Sequence, residues 1–464
     1  MKRIHFIGIG GSGISAIARF IQEIGYKVSG SDSTETPFIQ DLRSAGVTIH
    51  IGHDPENIAS ADVVVRSSAI PDDNPEVIAA AAAGIPVLKR ADFLGELMSN
   101  KTGIAVAGTH GKTTTTAMLA WTLSELGQDP SFIVGGLVNN LGVNAHAGRG
   151  RCFIIEADEY DRMFLGLKPV IGVVTNIEHD HPDCYPNPAD FYAAFSDFAH
   201  LLPTNGTLLA CTEDVGATRL LEETRQMGIK TIAYGFNKKL PCVDDQFAMA
   251  QELKPNDAGG FTFTTIINQQ STTVILSVPG QHNVLNALAA LTVVDLLGLS
   301  QAEAAKALGK FTGAGRRFEV RGEINEITII DDYAHHPTEI RTTIEAARAR
   351  YGTRRIWVTW QPHTYSRTRT LFNQFTHSFV DADEVIVTEI YRAREPQQDY
   401  SAEQIAKAIC HPSTYFIPTL PEVSDYLITH LRPGDVLLVL SAGDAEQVSA
   451  QVLAHLQGSE VHHV

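Results

Sequence analysis

Short apolar runs alternate with longer amphipathic segments along most of the chain, beginning close to the N-terminus. In the N-terminal part the apolar runs predict strands at residues 4–9, 26–29, 47–51, 63–66 and 86–88. The amphipathic segments between several of these runs have the spacing of helices. This rhythm predicts a doubly wound α/β domain, in which helices cover a mostly parallel sheet.

The same alternation restarts twice. A second α/β pattern begins near residue 101, includes a period-2 antiparallel strand near residues 261–267, and ends at a glycine-rich hinge near residues 312–317. A third pattern follows the hinge. At ~150 residues per domain, a chain of 464 residues is expected to hold about three domains. We therefore predict an α/β protein with domains at residues 1–100, 101–312 and 313–464.

Composition narrows the possible functions. The net charge of −17 argues against a nucleic-acid partner, because phosphate binding requires an accessible basic surface. No apolar run is long enough to cross a membrane and no signal peptide is evident, so we expect a cytoplasmic location and no membrane partner. The five cysteines form no CxxC pair and are interpreted as reduced and incidental.

Two glycine motifs each follow a predicted strand and open a predicted helix. The first is Gly8-Ile-Gly-Gly-Ser-Gly, with Asp32 at the end of the next strand. Glycines in this setting let backbone amides approach a diphosphate, while the acid binds a ribose hydroxyl. Taken alone, the motif also fits an NAD enzyme or a tight turn without a ligand. The predicted binding residues are Gly10, Gly11, Ser12, Gly13 and Asp32.

The second glycine motif is a phosphate loop, shortened to two residues between its glycines. Its amides and Lys112 are predicted to hold the β- and γ-phosphates of ATP, and the Thr113 hydroxyl to bind Mg²⁺. The predicted ATP-binding residues of the loop are Gly108, Thr109, His110, Gly111, Lys112, Thr113 and Thr114.

Acidic and histidine residues follow the next two predicted strands, as Glu-Ala-Asp-Glu at residues 156–159 and Asn-Ile-Glu-His-Asp-His at residues 176–181. Open α/β sheets bind ligands at the carboxyl ends of their strands, and hard oxygen ligands suit Mg²⁺. The predicted magnesium ligands are Thr113, Glu156 and His181. A zinc site from His179 and His181, or loop charges facing only solvent, are less favoured alternatives.

These motifs, together with Gln-His-Asn-Val-Leu-Asn-Ala-Leu at residues 281–288, resemble the Mur ligase family. Residues 6–18, 331–339 and 361–369 are similar to its alanine-adding members. The resemblance implies a Rossmann-like UDP-binding domain, a central P-loop ATPase and a C-terminal Rossmann-like ligand-binding domain. It also implies that ATP phosphorylates the lactyl carboxylate of UDP-N-acetylmuramate, and that L-alanine attacks the acyl phosphate, in peptidoglycan precursor synthesis.

The resemblance also implies roles for single residues, with Lys112, His335 and Arg367 as the catalytic set. His335 is favoured over His336 for handling the alanine amine, and Arg367 over Arg369 for its carboxylate. Implied ATP contacts are Asn283, Asn286, Arg317 and Asp332, and implied substrate contacts are Ser67, Ser68, His336 and Arg367. For the two asparagines the alternative is helix capping, and for the two serines it is an ST-turn.

The sequence departs from the family pattern at several positions. Thr364 stands where some alanine-adding members have arginine, and no lysine occurs in the predicted helix over residues 190–202. Three other functions stay open: addition of a murein tripeptide, an NAD-dependent oxidoreductase, and a nucleotide-binding protein without catalysis. We expect a monomer or a weak homodimer. Selection among L-alanine, glycine and L-serine does not follow from the sequence.

Overall fold

The computed structural model describes residues 2–67, 69–236 and 247–460. Two residues discussed above, Ser68 and Cys242, therefore lie outside the described residues. The chain forms three α/β domains, each built on its own sheet of five, ten or six strands. Each sheet lies within one of the predicted segments, and the exact domain boundaries stay a prediction.

The N-terminal sheet is wholly parallel, with the strand order β3-β2-β1-β4-β5. The sheet is covered on both faces. Side chains of its central strand β1 alternate between the faces, so Ile4 and Phe6 join one buried cluster and Ile7 joins another. A 3₁₀ turn at Pro55–Ile58 follows β3. The elements are β1 Arg3–Ile7, α1 Ser12–Glu23, β2 Lys27–Asp32, α2 Pro37–Ser44, β3 Thr48–Ile51, β4 Val63–Arg66, α3 Pro75–Ala82, β5 Val87–Lys89 and α4 Arg90–Met98.

The central sheet has the order β15-β14-β13-β12-β11-β10-β6-β9-β7-β8. Its middle is parallel, and an antiparallel pairing closes each edge. The 3₁₀ segment Tyr160–Gly166 follows β9. The elements are β6 Thr102–Ala107, α5 Lys112–Glu125, β7 Ser131–Val138, β8 Val143–His146, β9 Cys152–Glu156, β10 Ile171–Val174, α6 Pro188–Ala199, β11 Thr207–Cys211, α7 Val215–Gln226, β12 Lys230–Gly235, β13 Phe247–Pro255, β14 Phe261–Ile267, β15 Gln270–Leu276, α8 Gln281–Leu296 and α9 Gln301–Gly309.

The C-terminal sheet has the order β16-β17-β21-β18-β19-β20 and is parallel except at the antiparallel edge strand β16. Its buried strands β18 and β21 are continuous apolar runs, as expected for strands covered on both faces. The elements are β16 Glu319–Ile324, β17 Ile327–Asp332, α10 Pro337–Tyr351, β18 Ile356–Trp360, α11 Tyr365–Thr370, α12 Phe372–Phe375, β19 Glu384–Val387, α13 Glu403–Ala408, β20 Thr414–Phe416, α14 Leu420–His430, β21 Val436–Leu440 and α15 Glu446–Glu460.

Helices α5 and α8 form the core on one face of the central sheet. They pack against each other, and α8 also contacts β12, β13 and β14. Helix α8 is buried nearly all round, which explains its high content of Ala, Leu and Val. Helix α5 is largely buried although its first turns contain four threonines; the Thr116 hydroxyl donates to the carbonyl of Lys112 within the helix, and the Thr113 hydroxyl donates to Glu156. This packing fixes the phosphate loop that opens α5.

The predicted hinge is paired with the central sheet. The amide of Gly315 donates to the carbonyl of Leu137 at 2.8 Å, and the amide of Asn139 donates to the carbonyl of Gly313 at 3.2 Å. An isolated antiparallel bridge joins Val138 to Ala314 between them. The connection to the C-terminal domain is therefore a short extension of β7 and is not a free linker.

Within the part of the chain that the structure describes, no helix has the length and apolar content needed to cross a membrane.

The edge strand β15 offers a matched test of core burial. Leu276 is fully buried, whereas its neighbour Ile275 is 57% exposed. Replacing Leu276 with Ala is expected to lower the free energy of unfolding by about 2–5 kcal/mol, because it removes buried methyl groups and leaves a cavity. The control Ile275→Ala should change it by less than about 0.5 kcal/mol. Urea denaturation followed by circular dichroism measures both, and equal losses would contradict this packing.

Candidate active site

The candidate site lies at the carboxyl ends of three adjacent parallel strands. Strand β6 lies between β9 and β10, and the segments that follow all three strands meet at the carboxyl end of these central strands. The C-terminal domain faces this end with the start of α10 and the start of α11. Apolar strands thus carry polar residues into an enclosed space between two domains.

The phosphate loop is held by the segment after β10. The amide of Thr109 donates to the backbone carbonyl of Asn176 at 3.1 Å, and the amide of His110 to its side-chain oxygen at 2.8 Å. Gly108 has a φ of 137°, and a Cβ there would lie 2.0 Å from Thr175 Oγ1. Only glycine fits this position. The first amides of α5 have no carbonyl one turn earlier to bond, so they are available to an anion.

Lys112 is held in a cage of acceptors. Its Nζ lies 3.0 Å from the carbonyl of Thr109 and 2.9 Å from Glu159 Oε2, and it also donates to the carbonyl of Gly108. Burial opposes the charge, but the carboxylate of Glu159 outweighs it and raises the pKa of Lys112. The ammonium group is therefore charged at neutral pH. The sequence did not single out Glu159 as its partner.

Two of the three predicted magnesium ligands are in direct contact. The Thr113 hydroxyl donates to Glu156 Oε1 at 2.9 Å, and the amide of Gly135 donates to Glu156 Oε2 at 2.7 Å. Burial raises the pKa of Glu156. A Cβ at Gly135 would lie 2.6 Å from the carboxylate, so glycine leaves room for this oxygen cradle. Hard oxygen donors of this kind fit Mg²⁺.

The third predicted ligand, His181, lies on the other side of Lys112. Its Nε2 is 3.5 Å from Glu159 Oε1, and its buried Nδ1 has no hydrogen-bond partner among the described residues. His179 points elsewhere, with Nε2 donating to the carbonyl of Tyr185 at 2.8 Å. The two histidines therefore share no position for a zinc ion, and that alternative is not supported.

A cavity of about 190 Å³ extends from the phosphate loop along the start of α8. Asn283 and Asn286 line it, but neither caps the helix, because α8 begins at Gln281 with Gly280 as its cap. The capping alternative is therefore wrong. Asn283 donates to the carbonyl of Pro279 at 2.6 Å, and its side-chain oxygen accepts from Asn286 at 3.0 Å.

The C-terminal domain closes the far wall of the cavity with Arg317 and Asp332. Asp332 accepts from the amides of Phe318 and Ala334, both at 2.7 Å. Burial raises the pKa of Asp332 to about 6. Arg317 Nη1 lies 3.7 Å from Glu339 Oε1. The sequence predicted both Arg317 and Asp332 as contacts of ATP, and the structure brings them to the same wall.

The adjacent histidines at the start of α10 have different surroundings. His336 is the helix cap, and its Nδ1 accepts from the amide of Thr338 at 3.3 Å. His335 donates from Nδ1 to the carbonyl of Tyr333 at 2.9 Å, and its Nε2 lies 3.9 Å from Asp180. Burial lowers the pKa of His335 to about 4. A neutral ring with Nδ1–H keeps a lone pair on Nε2, facing the site.

Arg367 joins the two domains through a buried ion pair. Its Nε donates to Asp180 Oδ1 at 2.8 Å, its Nη2 to Oδ2 at 3.3 Å, and its Nη1 faces His363 Nδ1 at 2.9 Å. Thr364 caps the same helix and has a φ of 65°, which is rare for a β-branched residue. Arg369, the weaker alternative for the alanine carboxylate, stacks instead on Tyr400 at 4.5 Å.

The N-terminal glycine motif forms a second polar cluster. Asp32 Oδ2 accepts from the amide of Gly10 at 2.8 Å. Arg90, which the sequence did not single out, lies so close to Gly13 that a Cβ there would be 1.9 Å from its Nη1. Arg90 also donates to Asp158 at 2.8 Å. Gly11 lies in the turn before α1, which begins at Ser12, whose side chain is outside the description.

Ser67 follows β4 at the same edge of the N-terminal sheet. Its hydroxyl accepts from the amide of Ala69 at 3.3 Å, which is the ST-turn named above as the alternative to a substrate contact.

His110 connects the phosphate loop to both neighbouring segments. Its Nε2 lies 3.1 Å from Glu178 Oε2, and its Nδ1 lies 3.2 Å from Glu339 Oε1 in the C-terminal domain. Burial opposes the charge, but the hydrogen bonds to the two carboxylates raise the pKa of His110 to about 9. The imidazole is therefore protonated at neutral pH.

Comparison with known families covers most of the chain. The model described as "Mur ligase family, catalytic domain" matches residues 3–102, and "Mur ligase middle domain" matches residues 106–294. The model described as "Mur ligase, glutamate ligase domain" matches residues 316–443.

Named relatives match at nearly full length. A UDP-N-acetylmuramate–L-alanine ligase of Nitratidesulfovibrio vulgaris is 42% identical over 459 residues, which cover 98% of this chain and 99% of the relative. One of Solidesulfovibrio magneticus is 42% identical over 463 residues, with 99% of each chain covered.

Two solved structures have the same overall fold. The UDP-N-acetylmuramate–alanine ligase of Thermotoga maritima has a TM-score of 0.82 at 29% identity, covering 99% of this chain and 100% of that one. A murein peptide ligase of Psychrobacter arcticus has a TM-score of 0.72 at 28% identity, covering 98% and 99%.

The raised pKa of His110 predicts a pH-dependent contribution to stability. A folded-state pKa of about 9, above the ordinary 6.5, gives a contribution that is complete below pH 6.5 and is lost as pH rises through 9. The melting temperature of the wild type should therefore exceed that of His110→Gln most below pH 6.5. The difference should shrink towards pH 9. A difference that stays constant from pH 5 to pH 10 in thermal melts would contradict the assignment.

Proposed function

The chain belongs to the Mur ligase family, and we propose that it joins L-alanine to the lactyl carboxylate of UDP-N-acetylmuramate, using ATP, in peptidoglycan precursor synthesis. A carboxylate does not condense with an amine unaided, because its oxygen is a poor leaving group. Transfer of the γ-phosphoryl group of ATP to the carboxylate gives an acyl phosphate and ADP. The amine of alanine then attacks the carbonyl carbon, and phosphate leaves. The protein must position the reactants and stabilise their charge.

One observation carries this proposal: the segment after β10 contacts both the nucleotide side and the amino-acid side of the site. Asn176 bonds the phosphate loop, and Asp180 bonds Arg367 and lies 3.9 Å from His335. This geometry supports a phosphorylating centre and a pocket for a small amino acid in one space between the two domains. A hydride-transfer enzyme built on the N-terminal glycines would leave this arrangement without a use.

The phosphate-binding half uses Lys112 and the amides at the start of α5. Lys112 would neutralise the transferring phosphoryl group, after exchanging part of its present contacts with loop carbonyls for phosphate oxygens. Thr113 and Glu156 would hold one Mg²⁺, with His181 a candidate ligand of a second, and the ions would supply positive charge at the phosphates. The cavity beside Asn283 and Asn286 would take the nucleoside.

The amino-acid half comes from the C-terminal domain. His335 is neutral and has its lone pair on Nε2, so it can orient the alanine ammonium group by accepting its hydrogen bond, while the burial that lowers its pKa to about 4 weakens it as a base. Arg367 keeps one donor on Nη2 beyond the one used by Asp180, and its Nη1 would exchange its present contacts with His363 for the alanine carboxylate. His336 stays fixed as a helix cap, which supports His335 for the amine.

The N-terminal domain would hold the UDP part at Gly10, Gly11, Ser12 and Gly13, with Asp32 and Ser67 beside them. Arg90 adds a positive charge next to the helix start, where a diphosphate would lie. These assignments complete three domains with separate tasks at residues 1–100, 101–312 and 313–464. We also propose a cytoplasmic location and a monomer or weak homodimer.

The murein peptide ligases are the alternative, because one of them shares the fold. An assay of phosphate release with ATP and UDP-N-acetylmuramate separates the two. We expect release with L-alanine and little with the tripeptide Ala-Glu-diaminopimelate, and the reverse would favour the alternative. Glycine and L-serine in the same assay define the selection among small amino acids.

Replacing Lys112 with Ala should lower kcat by at least about 10²–10³-fold, because a charge aimed at the transferring phosphoryl group is lost. Lys306→Ala removes an exposed lysine from α9 and should leave kcat unchanged. Phosphate release under saturating substrates measures both, with thermal melts to verify folding. Full activity of Lys112→Ala would favour a nucleotide-binding protein whose role does not require catalysis.

Replacing Arg367 with Lys should raise KM for L-alanine about tenfold or more, because a single ammonium group cannot serve Asp180 and a carboxylate in the same forked geometry. KM for ATP should change little. Arg369→Lys is the matched control on the same helix, and it should leave KM for L-alanine unchanged. A larger effect at Arg369 would assign the carboxylate to that residue.

A further inference from the structure

The contacts of Glu339 extend from the phosphate loop to the histidine proposed to handle the amine. Glu339 Oε1 lies 3.2 Å from His110 Nδ1. Its Oε2 accepts from the amide of His335 at 3.1 Å and lies 3.3 Å from the Nδ1 of the same residue. One carboxylate therefore touches a loop of the central domain and both the backbone and the ring of His335.

Glu178 strengthens this contact from the central domain. Its Oε1 accepts from the Thr338 hydroxyl at 2.8 Å, while its Oε2 faces His110. His110 thus lies between two carboxylates from different domains, with only 14% of its side chain exposed. Buried charges are stable only when they are paired, so docking of the C-terminal domain and protonation of His110 support each other.

A metal ion is a poor explanation for this cluster, although the ligand atoms of His110, Glu178 and His336 lie within 4.8 Å of one another. Both nitrogens of His110 face carboxylate oxygens, which requires a proton on each. A doubly protonated ring has no lone pair for a metal. The Nδ1 of His336 already accepts from the amide of Thr338.

We propose that His110 and Glu339 are positioning residues. Through them, the contact between the phosphate loop and the docked C-terminal domain fixes the position of His335. In the docked state, His110 holds Glu339, and Glu339 holds the backbone amide of His335 and lies beside its Nδ1, whose proton is donated to the carbonyl of Tyr333. This inference deepens the proposed function, on which the role of His335 rests. With this link, binding of the alanine amine depends on the same phosphate loop that takes part in activating the lactyl carboxylate.

Without the contact from His110, Glu339 would turn to other partners such as Arg317, which lies 3.7 Å away. The backbone of His335 would then lose an acceptor for its amide, and its imidazole would shift with the backbone. An amino acid would bind with its ammonium group poorly placed for deprotonation, while ATP would still reach Lys112 and the helix amides. Loss of the link should therefore affect L-alanine more than ATP.

A double-mutant cycle tests the link. His110→Gln and Glu339→Gln should each lower kcat/KM for L-alanine about tenfold or more, whereas the double variant should fall no more than about threefold below the worse single variant. Each single change removes one charge of the pair that His110 and Glu339 form, and the double change removes both charges of that pair. Losses that multiply would show independent roles and overturn the proposal.

His146→Gln is the matched control. His146 also lies between two carboxylates from different domains, Glu23 and Asp129, each at 3.1 Å, but it is 44% exposed and belongs to no part of the site. It should change kcat/KM for L-alanine by less than about twofold, as expected for an exposed ion pair. An effect as large as that of His110→Gln would mean that any weakened domain contact gives the same result, and would overturn the proposal.

Hydrogen–deuterium exchange gives a readout independent of catalysis. In His110→Gln the amides of His335 and His336, which Glu339 holds, should exchange faster than in the wild type, and in His146→Gln they should not. Unchanged exchange in His110→Gln would overturn the link. If the wild type does not ligate alanine but its exchange responds as expected, the link stands and the proposed function fails.

Discussion

Charge buried between two domains must be paired, and this constraint governs the site. The segment of residues 175–181 supplies most of the pairing from the central domain: Asn176 bonds the phosphate loop, Glu178 faces His110, and Asp180 forms the buried pair with Arg367. Glu178 and Asp180 each also take a partner from the C-terminal domain, Thr338 and Arg367 respectively. The site therefore exists as a unit only when the C-terminal domain is docked.

The parallel sheet makes this possible. Strands β6, β9 and β10 are apolar and buried over most of their length, and the chain turns polar where each strand ends, in β9 at its last residue, Glu156. Because the carboxyl ends of neighbouring parallel strands lie side by side, residues distant in sequence come together there. Lys112, Glu159 and His181 come from three separate segments, and Glu159 contacts both of the other two.

Local pattern was sufficient for much of the fold and for the phosphate loop. The spacing of glycines, the following threonines and the apolar strand before them identify Lys112 and Thr113 without any long-range information. The three α/β domains and most of the parallel strands could also be predicted from the alternating apolar runs. The family resemblance added the C-terminal residues, whose positions the local pattern could not explain.

Pairings across the domains were beyond local pattern. His110 and Glu339 are separated by 229 residues, and Asp180 and Arg367 by 187, so no periodicity links them. Arg90 was missed because an arginine at the start of a helix is ordinary until its neighbour is known to be Asp158. The capping interpretation of Asn283 failed for a related reason. Gly280 ends the preceding turn, so the helix starts earlier than asparagine preference indicates.

The pairing of Gly315 with Leu137 determines where the C-terminal domain can turn. Gly315 is bonded to the central sheet, whereas the carbonyl of Arg316 accepts from Tyr333 of the C-terminal domain at 2.7 Å. The mechanical border between the two bodies is therefore the single peptide unit between these residues. When the C-terminal domain rotates about this peptide unit, groups close to the unit move less than groups far from it. Arg317 should therefore stay beside the nucleotide cavity while the amino-acid pocket opens.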